Sequence, residues 1–265
     1  MPFDFKGRRV LVTGASRGIG RAIALSVAAR GGDLVCVARG WDDLAALGSE
    51  VSNLGVPIQL VQADLSSSED CSRAIKEVLA NDSTLDVFIH NAGGAVERGA
   101  FATLDDEAWL RTFELNVLST VRLVRGLTES LSDSSEPRVL LMSSATAEQP
   151  GSMDPHYSAC KAAITNLGKH LSNLLAPRGV LVNTLAPGPI RTEGLIDFWT
   201  ELARRSQTPH ETMKELEENL ASRVPLHRVG DSATVATAAL FLCSKENQFI
   251  TGANVRIDGG RNQCV

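Results

Sequence analysis

Seven short runs of β-branched and aliphatic residues, at 9–13, 33–38, 58–63, 87–90, 138–143, 181–186 and 254–257, recur along the chain with amphipathic stretches between them. Their length and near-continuous apolar character read as strands buried on both faces. A sheet covered on both sides needs a helix between consecutive strands, so the order βαβα predicts a doubly wound α/β fold with a seven-stranded parallel sheet. Ligands bind such sheets outside the carboxyl ends of the strands, which directs attention to the residues that follow each run.

The helical stretches fit this order. Residues 19–30 carry an apolar period, and in 103–131 Leu110, Phe113, Val117, Val121 and Val124 recur at helical spacing behind Thr103 and Asp106, which are spaced as a capping box. At 265 residues, with 43% hydrophobic and 22% charged, the chain suits a single α/β domain with one large core, and no repeat or Pro/Ser-rich linker marks a second. The polar, charged stretch 193–224 is the one irregular region and is expected to form a lid. A net charge of −5 argues against a nucleic-acid surface, and the apolar stretch 10–12 is too short for a signal-peptide core or a membrane helix. A small-molecule partner and cytoplasmic residence are expected, without membrane association. The five cysteines, Cys36, Cys71, Cys160, Cys243 and Cys264, form no C-x-x-C pair and read as free thiols. The histidines show no H-E-x-x-H arrangement, so no metal centre is expected.

The first strand runs directly into Thr13-Gly14-Ala15-Ser16-Arg17-Gly18-Ile19-Gly20 and then into a helix. Glycine lets backbone approach a pyrophosphate, and a helix N-terminus offers it unpaired N–H groups and a partial positive charge. The spacing G-x-x-x-G-x-G lacks the Gly-Lys-Ser/Thr of a P-loop, which excludes the kinase and ATPase classes. Such glycines also serve simply as tight turns, so the second strand carries weight. At its end NAD(H) would call for a ribose-binding acid; the sequence has Ala38-Arg39 instead, and Arg17 adds a second cation in the glycine loop. A lone arginine is ordinarily a solvated surface charge, but two in these places favour NADP(H) over NAD(H).

Tyr157 and Lys161 stand four apart in the helical stretch 157–175, one turn from each other on one face. Bringing a free tyrosine from a pKa of ~10 to near 7 takes ~4 kcal/mol, within reach of a close ammonium plus a positive nicotinamide. Ser143 and Ser144 follow the fifth strand, at the edge where ligands bind, although serines there also cap turns. Asn116 lies in the middle of a long helix, where asparagine has poor propensity; a polar core network or an active-site water relay would each account for it.

These residues, in this order from about position 7 to 260, resemble the short-chain dehydrogenase/reductase family, and with it a Rossmann-type domain. Residues 13–20 resemble its cofactor loop. Asp64 looks like the acid that binds the adenine amino group, with Leu65 beside it, while Ser66 and Glu69 are spaced as the helix cap. Asn91-Ala92-Gly93-Gly94 resembles the family's N-A-G turn, and Pro187-Gly188-Pro189-Ile190-Arg191-Thr192 its P-G turn, in which Ile190 and Thr192 would hold the nicotinamide carboxamide. The resemblance implies a catalytic tetrad of Asn116, Ser144, Tyr157 and Lys161, with Ser144 chosen because the family's serine stands thirteen positions before its tyrosine. It implies cofactor contacts from Gly14, Ser16, Arg17, Gly18, Ile19, Gly20, Arg39, Asp64, Leu65, Asn91, Ala92, Gly93, Tyr157, Lys161, Pro187, Gly188, Ile190 and Thr192. It also implies a homo-oligomer, dimer or tetramer, built through 103–131 and 157–175.

By that resemblance Tyr157 is the general acid and base on a carbonyl or alcohol, Ser144 orients the substrate oxygen, and Lys161 binds the nicotinamide ribose and lowers the tyrosine's pKa. Asn116 would hold a water linking Lys161 to solvent. A cofactor-binding sensor without catalysis is the alternative on the same fold, against which the complete tetrad counts; an epimerase or dehydratase would need an added substrate domain. The lid carries no recognisable motif, so steroid, sugar, acyl-thioester and xenobiotic ketones stay open.

Overall fold

In the computed structural model, which describes residues 3–205 and 213–263, the chain runs β1 (Arg9–Thr13), α1 (Gly18–Ala28), β2 (Asp33–Ala38), α2 (Trp41–Ser52), β3 (Ile58–Gln62), α3 (Ser68–Leu79), β4 (Val87–His90), α4 (Asp106–Phe113), α5 (Ser119–Ser132), β5 (Arg138–Met142), α6 (Pro155–Leu175), β6 (Leu181–Pro187), β7 (Ile190–Arg191), α7 (Glu193–Arg205), α8 (Met213–Ser222), β8 (Gly230–Asp231), α9 (Ser232–Cys243) and β9 (Asn254–Ile257). Seven strands form one parallel sheet, as the sequence predicts, and the structure gives their order as β3-β2-β1-β4-β5-β6-β9. The pair β7 and β8, two residues each, is too short to register in an apolar pattern.

The strands send alternate side chains to opposite faces. Val10 and Val12 of β1 join Leu34 and Cys36 of β2 and Leu140 and Met142 of β5 in one buried cluster, covered by Ile23 of α1, Leu47 of α2 and Leu240 of α9. Leu11, Val35, Val37, Phe88 and Leu141 point the other way, under Ala74 of α3, Leu127 of α5 and Ile164 of α6. Burying such a side chain is worth roughly 1.5–3 kcal/mol, so neither face can be left without its helices.

Several local expectations shift. The stretch 103–131 is not one helix capped by Thr103: that residue ends a 3-10 turn, its hydroxyl donating to Ala100 O (3.0 Å), and Asp105 caps α4 by accepting from Ala108 N (2.8 Å). Between α4 and α5 lies a π-helical turn, Glu114–Leu118, which inserts a residue into the helical repeat. Val117 and Val124 are accordingly buried, whereas Leu110 and Phe113 are exposed. The cap of α3 is Ser67 rather than Ser66, accepting from Asp70 N (3.2 Å). The stretch 193–224 contains α7 and α8; residues 206–212 lie outside the described ones. Cys36, Cys71, Cys160 and Cys243 are buried free thiols, and Cys264 is outside the described residues. Among the described residues no helix is long and apolar enough to cross a membrane.

Candidate active site

The residues that follow successive strands line up across the carboxyl edge of the sheet as Asp64 after β3, Arg39 after β2, the glycine loop after β1, Asn91 after β4, Ser144 after β5 and Gly188 after β6. The order reverses between β1 and β4, where crossovers leave to opposite faces and a crevice opens.

Helix α1 begins there with no side-chain cap and no acid in its first turn, Arg17 standing extended at the N-cap; α3, α4 and α9 are instead capped by Ser67, Asp105 and Asp231. Its first N–H groups are left for an anion. Gly14 takes left-handed backbone (φ +63°), and a Cβ on Gly20 would lie 2.1 Å from Gly14 O, so the loop closes only without a side chain there. Asn91 pins the loop: its Nδ2 donates to Thr13 O (3.2 Å) and Gly14 O (3.1 Å), and Thr13 Oγ1 accepts from Asn91 N and Ala92 N (3.1 Å each).

Having accepted twice, the Thr13 hydroxyl donates to His90 Nδ1 (2.9 Å), which places the imidazole proton on Nε2, donated to Ser119 Oγ (3.1 Å). Ser119 donates onward to Leu115 O in the π turn. Burial, and then the charge of Lys161, hold this imidazole neutral, its pKa pushed down to about 3. A chain of hydrogen bonds thus joins the glycine loop to the turn that carries Asn116.

Arg39, with 80% of its side chain exposed, lies 3.9 Å from Asp64, and Arg17, 62% exposed, lies 3.6 Å from Asp197 of α7. Exposed pairs of this kind are worth ~0–1 kcal/mol, so a stronger anion would displace either carboxylate. Asp64 is engaged locally, Oδ1 accepting from Ser66 N (3.0 Å) and Ser66 Oγ (2.7 Å), and Leu65 is buried, its carbonyl accepting from Cys71 Sγ (3.3 Å).

The two serines after β5 divide their work. Ser143 is buried, its hydroxyl donating to Lys161 O (3.1 Å) and bonded to Thr165 Oγ1 (2.6 Å), which fastens α6 to the sheet. Ser144 accepts from Thr146 N (3.2 Å) and Thr146 Oγ1 (3.0 Å), and its hydroxyl is near enough to the Tyr157 phenol to draw that phenol's pKa down. The loop behind Ser144 is moored by Glu148, whose two oxygens accept from Asn254 Nδ2 (2.6 Å) and Asn262 Nδ2 (2.8 Å), and by Gln149, whose Oε1 accepts from Gln263 N (2.8 Å).

Lys161 is buried; its Nζ donates to Met142 O (2.8 Å) and sits 5.5 Å from the centre of the Tyr157 ring. Burial pulls its pKa down to about 8. Burial also pushes the Tyr157 phenol above its ordinary value, against the opposing pull of the Ser144 hydroxyl and then of the Arg98 charge. The lowered tyrosine expected from the sequence is therefore not produced by these side chains alone, because the ammonium is turned to a carbonyl. Asn116 is buried in the π turn, Nδ2 donating to Gly94 O and Thr112 O (2.8 Å each) and Oδ1 accepting from Gly94 N (3.1 Å). Of the two accounts open in the sequence, these bonds match the polar network.

Beyond β6, Gly188 N donates to Ile257 O (2.9 Å), and Ile190 packs its side chain into the core while β7 pairs with β8 at Gly230. Thr192 Oγ1 accepts from Leu195 N (3.2 Å), and Thr192 lies 3.6 Å from the Cβ position of Gly18, so the base of α7 rests against the glycine loop. Sequence reasoning passes over Arg98 and Asp154, which pair at 2.7 Å just ahead of Tyr157; neither belongs to a spaced motif, and the local signal is only an aspartate before Pro155. Among the described residues no group of His, Cys, Asp and Glu could hold a metal ion.

A family model described as enoyl-(acyl carrier protein) reductase matches residues 14–262. The chain is 29% identical over 257 residues to the 3-oxoacyl-(acyl-carrier-protein) reductase of Escherichia coli, covering 97% of this chain and 98% of that protein. It is 32% identical over 262 residues to the 2-dehydro-3-deoxy-D-gluconate 5-dehydrogenase of Pseudoalteromonas atlantica, covering 97% of each. Among solved structures, the L-sorbose reductase of Gluconobacter frateurii complexed with NADPH and L-sorbose matches with a TM-score of 0.93 at 28% identity, over 100% of both chains. An NADPH-dependent reductase involved in bacilysin biosynthesis matches with a TM-score of 0.90 at 26% identity, over 97% of this chain and 99% of that one.

Proposed function

The chain belongs to the short-chain dehydrogenase/reductase family of oxidoreductases, and from that premise we propose that it transfers a hydride between NADP(H) and a carbonyl or secondary-alcohol substrate on a single domain, with Tyr157 as general acid and base. The observation that carries this reading is the meeting of Ser144, Tyr157 and Lys161 at the carboxyl edge of the sheet, beside an uncapped helix terminus. The residues fit the cofactor, which supplies the hydride when bound. The first turn of α1 and the backbone of residues 14–20 would hold its pyrophosphate, Arg39 and Arg17 the 2′-phosphate, Asp64 and Leu65 the adenine, and Asn91, Ala92 and Gly93 the middle. Pro187, Gly188, Ile190 and Thr192 would hold the carboxamide end, and Lys161 the ribose hydroxyls, which brings its ammonium to bear on the phenol.

Ser144 orients the substrate oxygen, and Tyr157 gives that oxygen a proton in reduction or removes one in oxidation. Asn116 keeps the turn after Gly93 in place, with a water between it and Lys161 completing the proton path. Within the stretch 193–224, α7 and α8 cover the substrate. The NADPH named for two matched reductases supports NADP(H) over NAD(H). Exposed Leu110 and Phe113 on α4 support assembly as a homo-oligomer.

The test is NADPH consumption with a panel of sugar, steroid and acyl-thioester ketones, wild type against Tyr157→Phe. The variant is expected to fold, to bind NADPH and to lose roughly 10²–10⁴-fold in turnover, the usual contribution of an acid/base group. Near-normal turnover would remove Tyr157 from the mechanism.

A further inference from the structure

Helix α6 begins in an unusual way. Asp154 occupies its N-cap position, where a residue is ordinarily extended and turns its side chain onto the helix's first N–H groups. Here Asp154 is left-handed (φ 55°, ψ 50°) and makes no side-chain cap. Its residue is 7% exposed, and its carboxylate is spent elsewhere: Oδ1 accepts from Gly99 N (3.1 Å) and Oδ2 from Arg98 (2.7 Å). Asp154 N donates in return to Gly99 O (2.9 Å), and two residues on His156 Nε2 donates to Glu97 O (3.0 Å). Three consecutive residues of the loop after the N-A-G turn are thereby stapled to the residues immediately before Tyr157. A non-glycine residue is kept left-handed only where its surroundings over-determine it, and such places cluster at functional sites.

We propose that Asp154 and Arg98 are positioning residues, a carboxylate–guanidinium clamp that fixes the start of α6, and with it Tyr157, against the loop that follows the cofactor-lining turn. The proposal rests on the reading of Tyr157 as acid and base. The clamp touches both walls of the crevice: Gly93 and Gly94 begin the loop that ends at Gly99, and Tyr157 lies on the first turn of α6. It also sets charges around the phenol. The groups that act on Tyr157 are Ser144 after β5, Arg98 in the loop after β4, Asp154 ahead of α6, and Cys160 and Lys161 on α6 itself. Arg98 draws the phenol's pKa down and Asp154 draws it up, so the two members have opposite electrical effects although they share one structural task.

The experiment compares Asp154→Asn, Asp154→Ala, Arg98→Gln, the double variant Arg98→Gln/Asp154→Asn and Tyr157→Phe. The readouts are kcat and KM with an accepted ketone, NADPH affinity, thermal melting, and the pH profile for oxidation of the matching alcohol by NADP. Asp154→Ala is expected to lose roughly tenfold to a hundredfold in kcat, the scale of a misplaced catalytic group, with NADPH affinity within about twofold of wild type. Asp154→Asn, which keeps an acceptor for Gly99 N and tolerates left-handed backbone, should move the acid limb of the oxidation profile, where the phenol loses its proton, to lower pH, and Arg98→Gln should move it to higher pH. The double variant, a neutral hydrogen-bonding pair, should recover most of kcat, with its limb between those of the single variants. Folded Asp154→Ala and Arg98→Gln enzymes with wild-type kcat and an unmoved limb would overturn the clamp, as would lowered melting temperatures with neither kcat nor limb changed. If Tyr157→Phe keeps its turnover, the acid/base reading fails and the clamp with it; if Tyr157→Phe is inactive while Asp154→Ala is normal, only the clamp fails.

Discussion

Gly93 is where the architecture can be loaded by a single methyl group. Its backbone is not left-handed, so alanine is conformationally acceptable, and the whole effect is steric: the new Cβ would lie 2.6 Å from Asn116 Oδ1 and 3.0 Å from Lys161 Nζ. Carbon contacts relax at ~3.5 Å, so Asn116 has to retreat by ~1 Å and Lys161 by ~0.5 Å. Neither is loose, since Asn116 is held by Gly94 and Thr112, and Lys161 by Met142 O. Overpacking of this kind costs ~1–3 kcal/mol, which for a domain of this size lowers the melting temperature by roughly 2–10 °C. The catalytic loss should be larger in relative terms, because displacing a positioned group by ~1 Å can cost ~10²-fold. Gly93→Ala is therefore expected to lose roughly tenfold to a hundredfold in kcat, measured by steady-state NADPH consumption alongside thermal melting and NADPH affinity. Gly151→Ala, whose Cβ meets nothing within 4 Å, is the silent control. Gly20→Ala, whose Cβ would collide with a backbone oxygen, should lose cofactor binding instead. Wild-type kcat and melting in Gly93→Ala would show that Lys161 and Asn116 move freely, and the reasoning that ties their places to turnover would be refuted.

Burial pulls Lys161 down to about 8 from the ordinary 10.5 of a lysine, so the folded state disfavours its charge by ~3 kcal/mol at pH 7; stability rises between about pH 8 and 10.5, where the unfolded chain retains the proton longer. Lys161→Met should thus melt several degrees higher than the wild type at pH 7, with the gain shrinking near pH 10 and turnover lost; a lower melting temperature at pH 7 would contradict the burial cost. Replacing Ala38 with Asp and Arg39 with Gln should shift preference towards NADH by roughly tenfold to a hundredfold in kcat/KM, since each charge-assisted bond to a 2′-phosphate is worth ~1.5–3 kcal/mol. Equal use of both cofactors by the wild type would show that Arg39 serves only the solvent face. NADPH should slow hydrogen exchange in the first turn of α7, because Thr192 at its base rests on Gly18 of the glycine loop; unchanged exchange there would count against closure of α7 over the site.

What was legible in the sequence was what local chemistry enforces. The alternation of Val10, Leu11 and Val12 between two cores is written in the strand itself, and the glycine loop is marked because a side chain at Gly20 has nowhere to go. Features decided by distant partners were not legible. The run Ser66-Ser67-Ser68 offers three equivalent caps, and only the fold picks Ser67. Ser143 and Ser144 look alike until Thr165, on another element, claims the first. The π turn at Asn116 has no residue code, and it turns Leu110 and Phe113 outward where simple periodicity buries them. Arg98 and Asp154, from two loops far apart in the chain, meet only in three dimensions.

The mooring of the serine loop has a consequence for the order in which the molecule is made. A polypeptide halted before Asn254 can already set β3, β2, β1, β4, β5 and β6 side by side, because β9 joins only at the outer edge, next to β6. It has neither Asn254 nor Asn262 to occupy the oxygens of Glu148, and no Gln263 for Gln149. A chain that stops short of Asn254 therefore lacks these bonds to the loop behind Ser144, so the serine's support comes from the last stretch to be made.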